Sequence, residues 1–299
     1  MNAVELAQYA SELLGVELDP ATARPDESGW DFHVTHIMDT GGSPWILRRP
    51  RHPQAARQLA TEGAVLAAVR DRLPVAVPNW RLQTPRLVAY PRLPGAQAGA
   101  EDPRTLVYGW DIDPLAAPDA YLEPLARALA EVHRTPHDAL PALEAPTPEA
   151  LRSAVADRLA RARSELRLSA ARTRRWRAWL DDDSLWPDRM VVVHGDVHPG
   201  HTLVERTPAG PPRLSGLLDW GNAGINDPAV DFVDMLYAGG PPVLDLLLDA
   251  YRRAGGEVRP GMRAHVLARA SFLWVHVALR GLDAARPAWV ETALSRIGA

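Results

Sequence analysis

The stretch VVVHGDVHPGHTLVE, residues 191–205, gathers His194, His198 and His201 around one carboxylate, Asp196, directly after a run of valines. Two chemistries suit these residue types. An aspartate at a loop tip beyond a buried strand can act as general base, accepting a proton from a substrate hydroxyl. Three imidazoles could instead hold zinc, as in a hydrolase. The spacing does not match the helical two-histidine pattern of such enzymes, and Pro199 and Gly200 forbid a helix. A turn capped by Asp196 is the plain alternative to both.

The elements around this stretch narrow the choice. HTLVE and LSGLLDW read as antiparallel strands about the turn-rich RTPAGPPR. In the register expected, Val204 faces Gly216 and His201 faces Asp219 at the open end. An imidazole and a carboxylate then converge beside Asp196 with room for a divalent cation, although Mg2+ prefers oxygen ligands and keeps several waters. Further on, Asp227 before Pro228 reads as a helix cap. Asp231 is a candidate buried brace for the loop, and Asp234 follows without an assigned task. His133, at a helix end, reads as packing or a dipole partner. His276, within FLWVHVALRGL, reads as a helix residue or part of a substrate wall.

The first ninety residues predict a small sheet with one crossing helix. DFHVTHIMD and SPWILRRP alternate as two strands joined by DTGGS, and AARQLATEGAVLAAVRDRL carries Leu59, Glu62, Leu66 and Val69 at helical spacing. Arg48 on the second strand and Glu62 on the helix could form the pair in which a strand cation grips nucleotide phosphates and a helix carboxylate holds it. Otherwise Arg48, Arg49 and Arg51 are a solvated edge. Ser28 and Gly29, in ESGWDF, lie either over phosphates or in a simple turn. RLVAYP reads as a short buried strand.

From about residue 120 helices dominate, interrupted by the valine run and its hairpin, and GAQAGAEDP is the loosest loop. The layout predicts an α+β, two-lobed protein-kinase-like fold: residues 1–90 as a sheet-rich lobe and 91–299 as a helical lobe. The chain has 299 residues, a formal charge of -4 and no cysteine, which excludes disulfides and thiolate chemistry. All 33 basic residues are arginine, so any role of a catalytic lysine falls to an arginine. Basic residues interleaved with aromatics do not form a nucleic-acid face. The N-terminus reads as an amphipathic helix rather than a signal peptide. With no apolar run of about 18 residues, a cytoplasmic monomer is expected, with neither nucleic acid nor membrane as partner.

Taken together, HGDVHPGH, LLDW and DPAVDF resemble the aminoglycoside phosphotransferase superfamily of kinase-like enzymes. The chain is most similar to its macrolide 2'-phosphotransferases, through WILRRPR, LPVAVPNWRL with LVAYP, WLDDDSLWPD, and VVVHGD followed by GH where the wider superfamily has Asn. The likeness runs from about Trp30 to the last helices. It implies transfer of the γ-phosphate of a purine nucleoside triphosphate, GTP or ATP, to the 2'-hydroxyl of the desosamine sugar of a macrolide. Asp196 would be catalytic, and His201 and Asp219 would be Mg2+ ligands. Arg48 would stand where kinases keep lysine, with Glu62 as its partner. Ser28, Gly29, Val88, Ala89 and Tyr90 would face the nucleotide, and His198, Phe272 and His276 the macrolide. Alternatives are a kinase of the same fold for another small molecule such as an aminoglycoside, a histidine-ligated zinc hydrolase, and a nucleotide-binding pseudokinase. The last is disfavoured because Asp196, His201 and Asp219 are all present.

Overall fold

The computed structural model describes residues 2–27, 31–102, 105, 107–140, 143–208 and 210–298. The chain opens with helix α1 (Ala3–Leu14), whose Asn2 and Glu5 form a reciprocal capping box. Strands β1 (Leu18–Asp26), β2 (Phe32–Asp39) and β3 (Pro44–Pro50), helix α2 (Pro53–Val69), and strands β4 (Leu82–Gln83) and β5 (Val88–Pro91) follow. The five strands form one antiparallel sheet in the order β1-β2-β3-β5-β4. The β2–β3 hairpin and α2 match expectation. Strand β1 has no counterpart in the sequence reading, because LDPATARPD carries two prolines and no alternation, and an edge position tolerates both.

The two-residue period of the sheet places the first functional pair. Trp45, Leu47, Leu87 and Ala89 point to one face and pack with Leu6, Ala7 and Ala10 of α1. Ile46, Val88 and Tyr90 point to the other and pack with Ala55 and Leu59 of α2. Arg48 shares the second face with Ile46, so its side chain is directed at α2. Farther along α2, Val65, Leu66 and Val69 belong to the core of the helical lobe. One helix thus joins both lobes, and each such fully buried aliphatic side chain contributes about 1.5–3 kcal/mol.

The second lobe begins with three short strands, β6 (Ala96–Gln97), β7 (Gly99–Asp102) and β8 (Val107–Trp110). Most of the segment read as the loosest loop is therefore paired: β6 pairs with the later hairpin and β7 with β8, while Pro103 lies outside the described residues. Its small, polar residues carry no strand signal, and the pairing is supplied by distant backbone. Helices α3 (Pro118–His133), α4 (Pro148–Glu165) and α5 (Ala170–Asp181) lead to β9 (Val191–Val193), β10 (Thr202–Glu205), β11 (Arg213–Leu217) and β12 (Gly224–Asn226). Helices α6 (Val230–Arg253), α7 (Met262–Asp283) and α8 (Pro287–Ile297) complete the chain. α6 starts eleven residues before the predicted PPVLDLLLDAYRR segment, and Gly240 (φ 73, ψ -175) breaks it before Pro241 and Pro242. α3 and α6 form the main core, and a second, Trp-rich core lies among α4, α5, α7 and α8. Among the described residues no helix is long and apolar enough to cross a membrane.

The β10–β11 hairpin forms, but its register differs from expectation. Thr202 pairs with Leu217 and Leu203 with Gly216, and beyond a bulge Val204 pairs with Leu214 rather than Gly216. Leu218, not Asp219, is the residue whose N–H reaches the His201 carbonyl (2.8 Å).

Candidate active site

The buried β9 strand is followed at once by His194, Gly195 and Asp196. Gly195 has φ +84, and a Cβ there would lie 2.4 Å from the Asn222 carbonyl oxygen, so both conformation and space require glycine. The turn is held from below by Asp231, which is fully buried. Its carboxylate accepts hydrogen bonds from the His194 N–H (3.0 Å), the Gly195 N–H (2.6 Å) and His133 Nε2 (2.9 Å). Nδ1 of the same ring is hydrogen-bonded to the Tyr251 hydroxyl at 2.8 Å, so both ring nitrogens have partners. Burial alone would raise the Asp231 carboxyl, but the hydrogen bond and charge of His133 hold it below the usual range. Asp231 is thus the brace anticipated for the loop.

The three histidines of the opening stretch are not equivalent. His194 accepts from the Asp196 N–H through Nδ1 (3.3 Å) and donates from Nε2 to the Leu218 carbonyl (2.9 Å). His198 accepts the Gly200 N–H at Nδ1 (3.1 Å), so Nε2 carries its proton. His201 donates from Nδ1 to the Asp196 carbonyl (3.0 Å), which leaves the Nε2 lone pair free, 3.7 Å from Asp219 Oδ2. Asp196, His198 and His201 offer ligand atoms within 4.8 Å of one another. Hydrogen bonding nevertheless takes up the lone pairs of His194 and His198, so the three-histidine zinc site does not form. The donor set that remains for a cation is His201 Nε2 with carboxylate oxygens.

Asp219 reaches His201 despite the register difference because its backbone is left-handed (φ 54), which turns the carboxylate back across the strand end. The same carboxylate lies 3.6 Å from Arg48 Nη2. Arg48 bonds Glu62 through Nη1 (2.5 Å) and sits 4.2 Å over the Phe32 ring, with Arg48 and Glu62 both buried. Burial works to discharge this guanidinium, but Glu62 and then Asp219 raise its pKa further, so it stays cationic. For Asp219, burial again opposes charge, and Arg48 followed by His201 holds it below the ordinary carboxylate range. Asp196 is raised by burial, which outweighs the lowering by His201, and Asp219 raises it further.

Val88 and Ala89 have paired strands on both sides, β3 and β4, whereas Tyr90 is paired only to β3. Two of the three backbones expected to face a nucleotide are therefore committed to the sheet. Burial pushes the Tyr90 phenol up to about 12. Ser28 and Gly29 lie outside the described residues. Phe272 and His276 line a cavity of about 160 Å³ with Val155, Trp179, Val233 and Asp234, and that cavity reaches Gly195. Burial lowers His276 to about 4. Asp227 is not the expected helix cap: the N-cap of α6 is Ala229, without a side-chain cap, and the Asp227 carboxylate, two residues earlier, accepts the Ala229 N–H (2.9 Å) and binds His265 Nε2 (2.6 Å) and Arg269 (3.0 Å) in the buried turn that leads into the helix.

Four residues near Asp196 were given no task from sequence. Asn222 Nδ2 donates to Asp196 Oδ2 (3.0 Å). Tyr108 stacks on His198 (ring centroids 4.6 Å, 25°) and reaches Asp234 Oδ1 (3.5 Å). Asp234 is raised well above the usual value by burial, then by Asp196 and Glu101. Glu101 is raised by burial and by Asp196. Proximity of Asn222 to the LLDW motif was the only signal available. Glu101 and Tyr108 lie on the β7–β8 hairpin, which the sequence presents as loop.

A loop carboxylate after a buried strand, an imidazole–carboxylate pair beside it that could hold a cation, and a buried Arg–Glu pair make an arrangement of the kind used for phosphoryl transfer. Comparison with known proteins agrees. The family model described as "Phosphotransferase enzyme family" matches residues 22–265. The chain is 34% identical to the uncharacterized protein YcbJ of Bacillus subtilis (strain 168), over 95% of this chain and 92% of that one. Among solved structures it is similar to macrolide 2'-phosphotransferase MphH from Brachybacterium faecium (TM-score 0.84, 33% identity, covering 98% of this chain and 97% of that one). A macrolide 2'-phosphotransferase type I matches with TM-score 0.84 and 35% identity, covering 99% and 96%. Aminoglycoside kinase structures at 18% identity share the fold. With its two-lobed kinase-like fold and a family match spanning most of its length, the chain belongs to the phosphotransferase enzyme family.

Proposed function

We propose that this protein transfers the γ-phosphate of GTP or ATP to the 2'-hydroxyl of the desosamine sugar of a macrolide antibiotic. The reading rests on one observation: Asp196, the His201–Asp219 pair and Arg48–Glu62 meet in one place, bordered by a largely apolar cavity. The likeness to two macrolide 2'-phosphotransferases over nearly the whole chain supports the choice of acceptor. In this reading residues 1–90 are the nucleotide lobe and 91–299 the catalytic and acceptor lobe, with a linker near Tyr90 to Gly95 between them.

In this scheme Asp196 accepts the hydroxyl proton while the sugar oxygen bonds to the γ-phosphorus and the bond to the β-phosphate oxygen breaks. His201 Nε2 and Asp219 would hold Mg2+, which would supply neutralisation of phosphate charge. Arg48 sits within reach of Asp219 as a fixed cation on the nucleotide side, where a guanidinium offers forked rather than point-like contacts to phosphate. Asp234 and Glu101 gather beside Asp196, each raised by burial and by its charge, and this acidic corner suits an acceptor carrying an amine. Phe272, Val155 and Val233 supply apolar wall to a macrolide.

The test is incubation with Mg2+, GTP or ATP, and a panel of macrolides and aminoglycosides, followed by mass spectrometry. One phosphate increment on a desosamine-bearing macrolide is expected. Increments confined to aminoglycosides would replace the acceptor, and no increment on any macrolide would end the proposal.

A further inference from the structure

The two oxygens of Asp196 are in different environments. Oδ2 is occupied by the Asn222 amide at 3.0 Å. Oδ1 faces His198 Nε2 at 3.7 Å, too far for a direct hydrogen bond. The proton on His198 must be at Nε2, because Nδ1 accepts the Gly200 N–H. That ring is 6% exposed and clamped between Tyr108 (4.6 Å) and His201 (3.7 Å), so Nε2–H is held in one direction. Among the described residues no hydrogen bond uses this N–H, and it is not one of the fully buried unpaired atoms, so it stays open to an acceptor brought beside Asp196.

We infer that His198 orients the acceptor: the acceptor oxygen sits between His198 Nε2 and Asp196 Oδ1, accepting a hydrogen bond from the first and donating its proton to the second. Two atoms 3.7 Å apart can share one oxygen at roughly 2.8 Å from each. Asn222 keeps Oδ2 engaged, so Oδ1 is the basic atom and the carboxylate is not free to rotate. The hydroxyl oxygen then presents its remaining lone pair to the phosphoryl group in a fixed direction, the positional contribution on which phosphoryl transfer chiefly depends. His198 is thereby neither a metal ligand nor a second base. The inference rests on the reading of Asp196 as base but not on the identity of the acceptor.

Two near-isosteric substitutions separate this role from a structural one. In His198→Asn the side-chain oxygen can still accept the Gly200 N–H, but no donor remains at the Nε2 position. In His198→Gln an amide N–H reaches that position while the contact to Gly200 is given up. With whichever hydroxyl acceptor the wild-type protein phosphorylates, His198→Asn should lower kcat/KM for the acceptor by about tenfold to a hundredfold. His198→Gln should recover most of that loss. Affinity for GTP, measured by calorimetry, and the melting temperature should stay near wild type in both. A structural role at the Gly200 turn predicts the reverse order, with Asn active and Gln impaired. That order would overturn the inference, as would equal activity of both variants at either level.

Discussion

Asp231→Asn is the sharpest test of how the loop is held. The fully buried carboxylate receives three donors: His194 N–H and His133 Nε2 at one oxygen, and Gly195 N–H at the other, 2.6 Å away. Asparagine is nearly the same shape but offers one oxygen and one NH2, so in either orientation an N–H donor faces another donor. Losing one hydrogen bond to a charged group costs about 1.5–3 kcal/mol, and the buried donor left unpaired costs about 1–3 kcal/mol more. A loss of ~3–5 kcal/mol follows, which for a chain of this size lowers Tm on the order of 10 °C. Thermal melting followed by circular dichroism reads this directly. Phosphoryl transfer should fall as well, because Gly195 is covalently next to Asp196. The acid dependence gives a second reading. The Asp231 carboxyl is held below its ordinary value, so its contribution is fully present above the unfolded pKa near 4 and disappears as pH falls through the folded pKa. The variant should therefore lose stability less steeply than wild type on acidification. A variant melting within about 2 °C of wild type, with full transfer activity, would refute the claim that Asp231 holds the loop.

Three further outcomes are expected. Asp196→Ala should abolish transfer while leaving nucleotide affinity by calorimetry near wild type, and normal turnover would remove Asp196 as the base. His201→Asn, which exchanges an imidazole for an amide oxygen, should keep transfer but lower the Mg2+ concentration needed for half-maximal rate, since Mg2+ favours oxygen donors. An unchanged Mg2+ titration would take His201 out of the metal shell. For Asp227, burial is outweighed by Arg269 and then His265, giving a pKa of about 2 against an unperturbed 3.8. That difference corresponds to roughly 2 kcal/mol, present above pH ~4 and lost as pH falls through the folded value. Urea denaturation of Asp227→Asn against wild type should thus show a gap at pH 7 that narrows by pH 2. A gap independent of pH would show that the Asp227 carboxylate is not responsible.

Sequence alone determined the parts governed by short-range chemistry. Alternation in DFHVTHIMD and SPWILRRP and the helical spacing of Leu59, Glu62 and Leu66 were enough to predict a small sheet with one crossing helix and to pair Arg48 with Glu62. The valine run before HGD, with proline and glycine behind it, marked a strand followed by a loop, and so a fixed carboxylate. The hairpin through RTPAGPPR was legible as well, but not its register. A bulge is an insertion whose position depends on which neighbours the strands meet, here β6 and Ala76. Only the tertiary structure decided that a left-handed Asp219 restores the contact with His201 that the shifted register would have lost. It also decided what each histidine does, because a ring nitrogen's role is set by its partner, and Leu218, Gly200 and the Asp196 carbonyl are brought there by folding. Asn222, Tyr108, Glu101 and Asp234 entered the site for the same reason. They are up to 133 residues apart in sequence (Glu101 to Asp234), and only long-range packing brings them to one carboxylate.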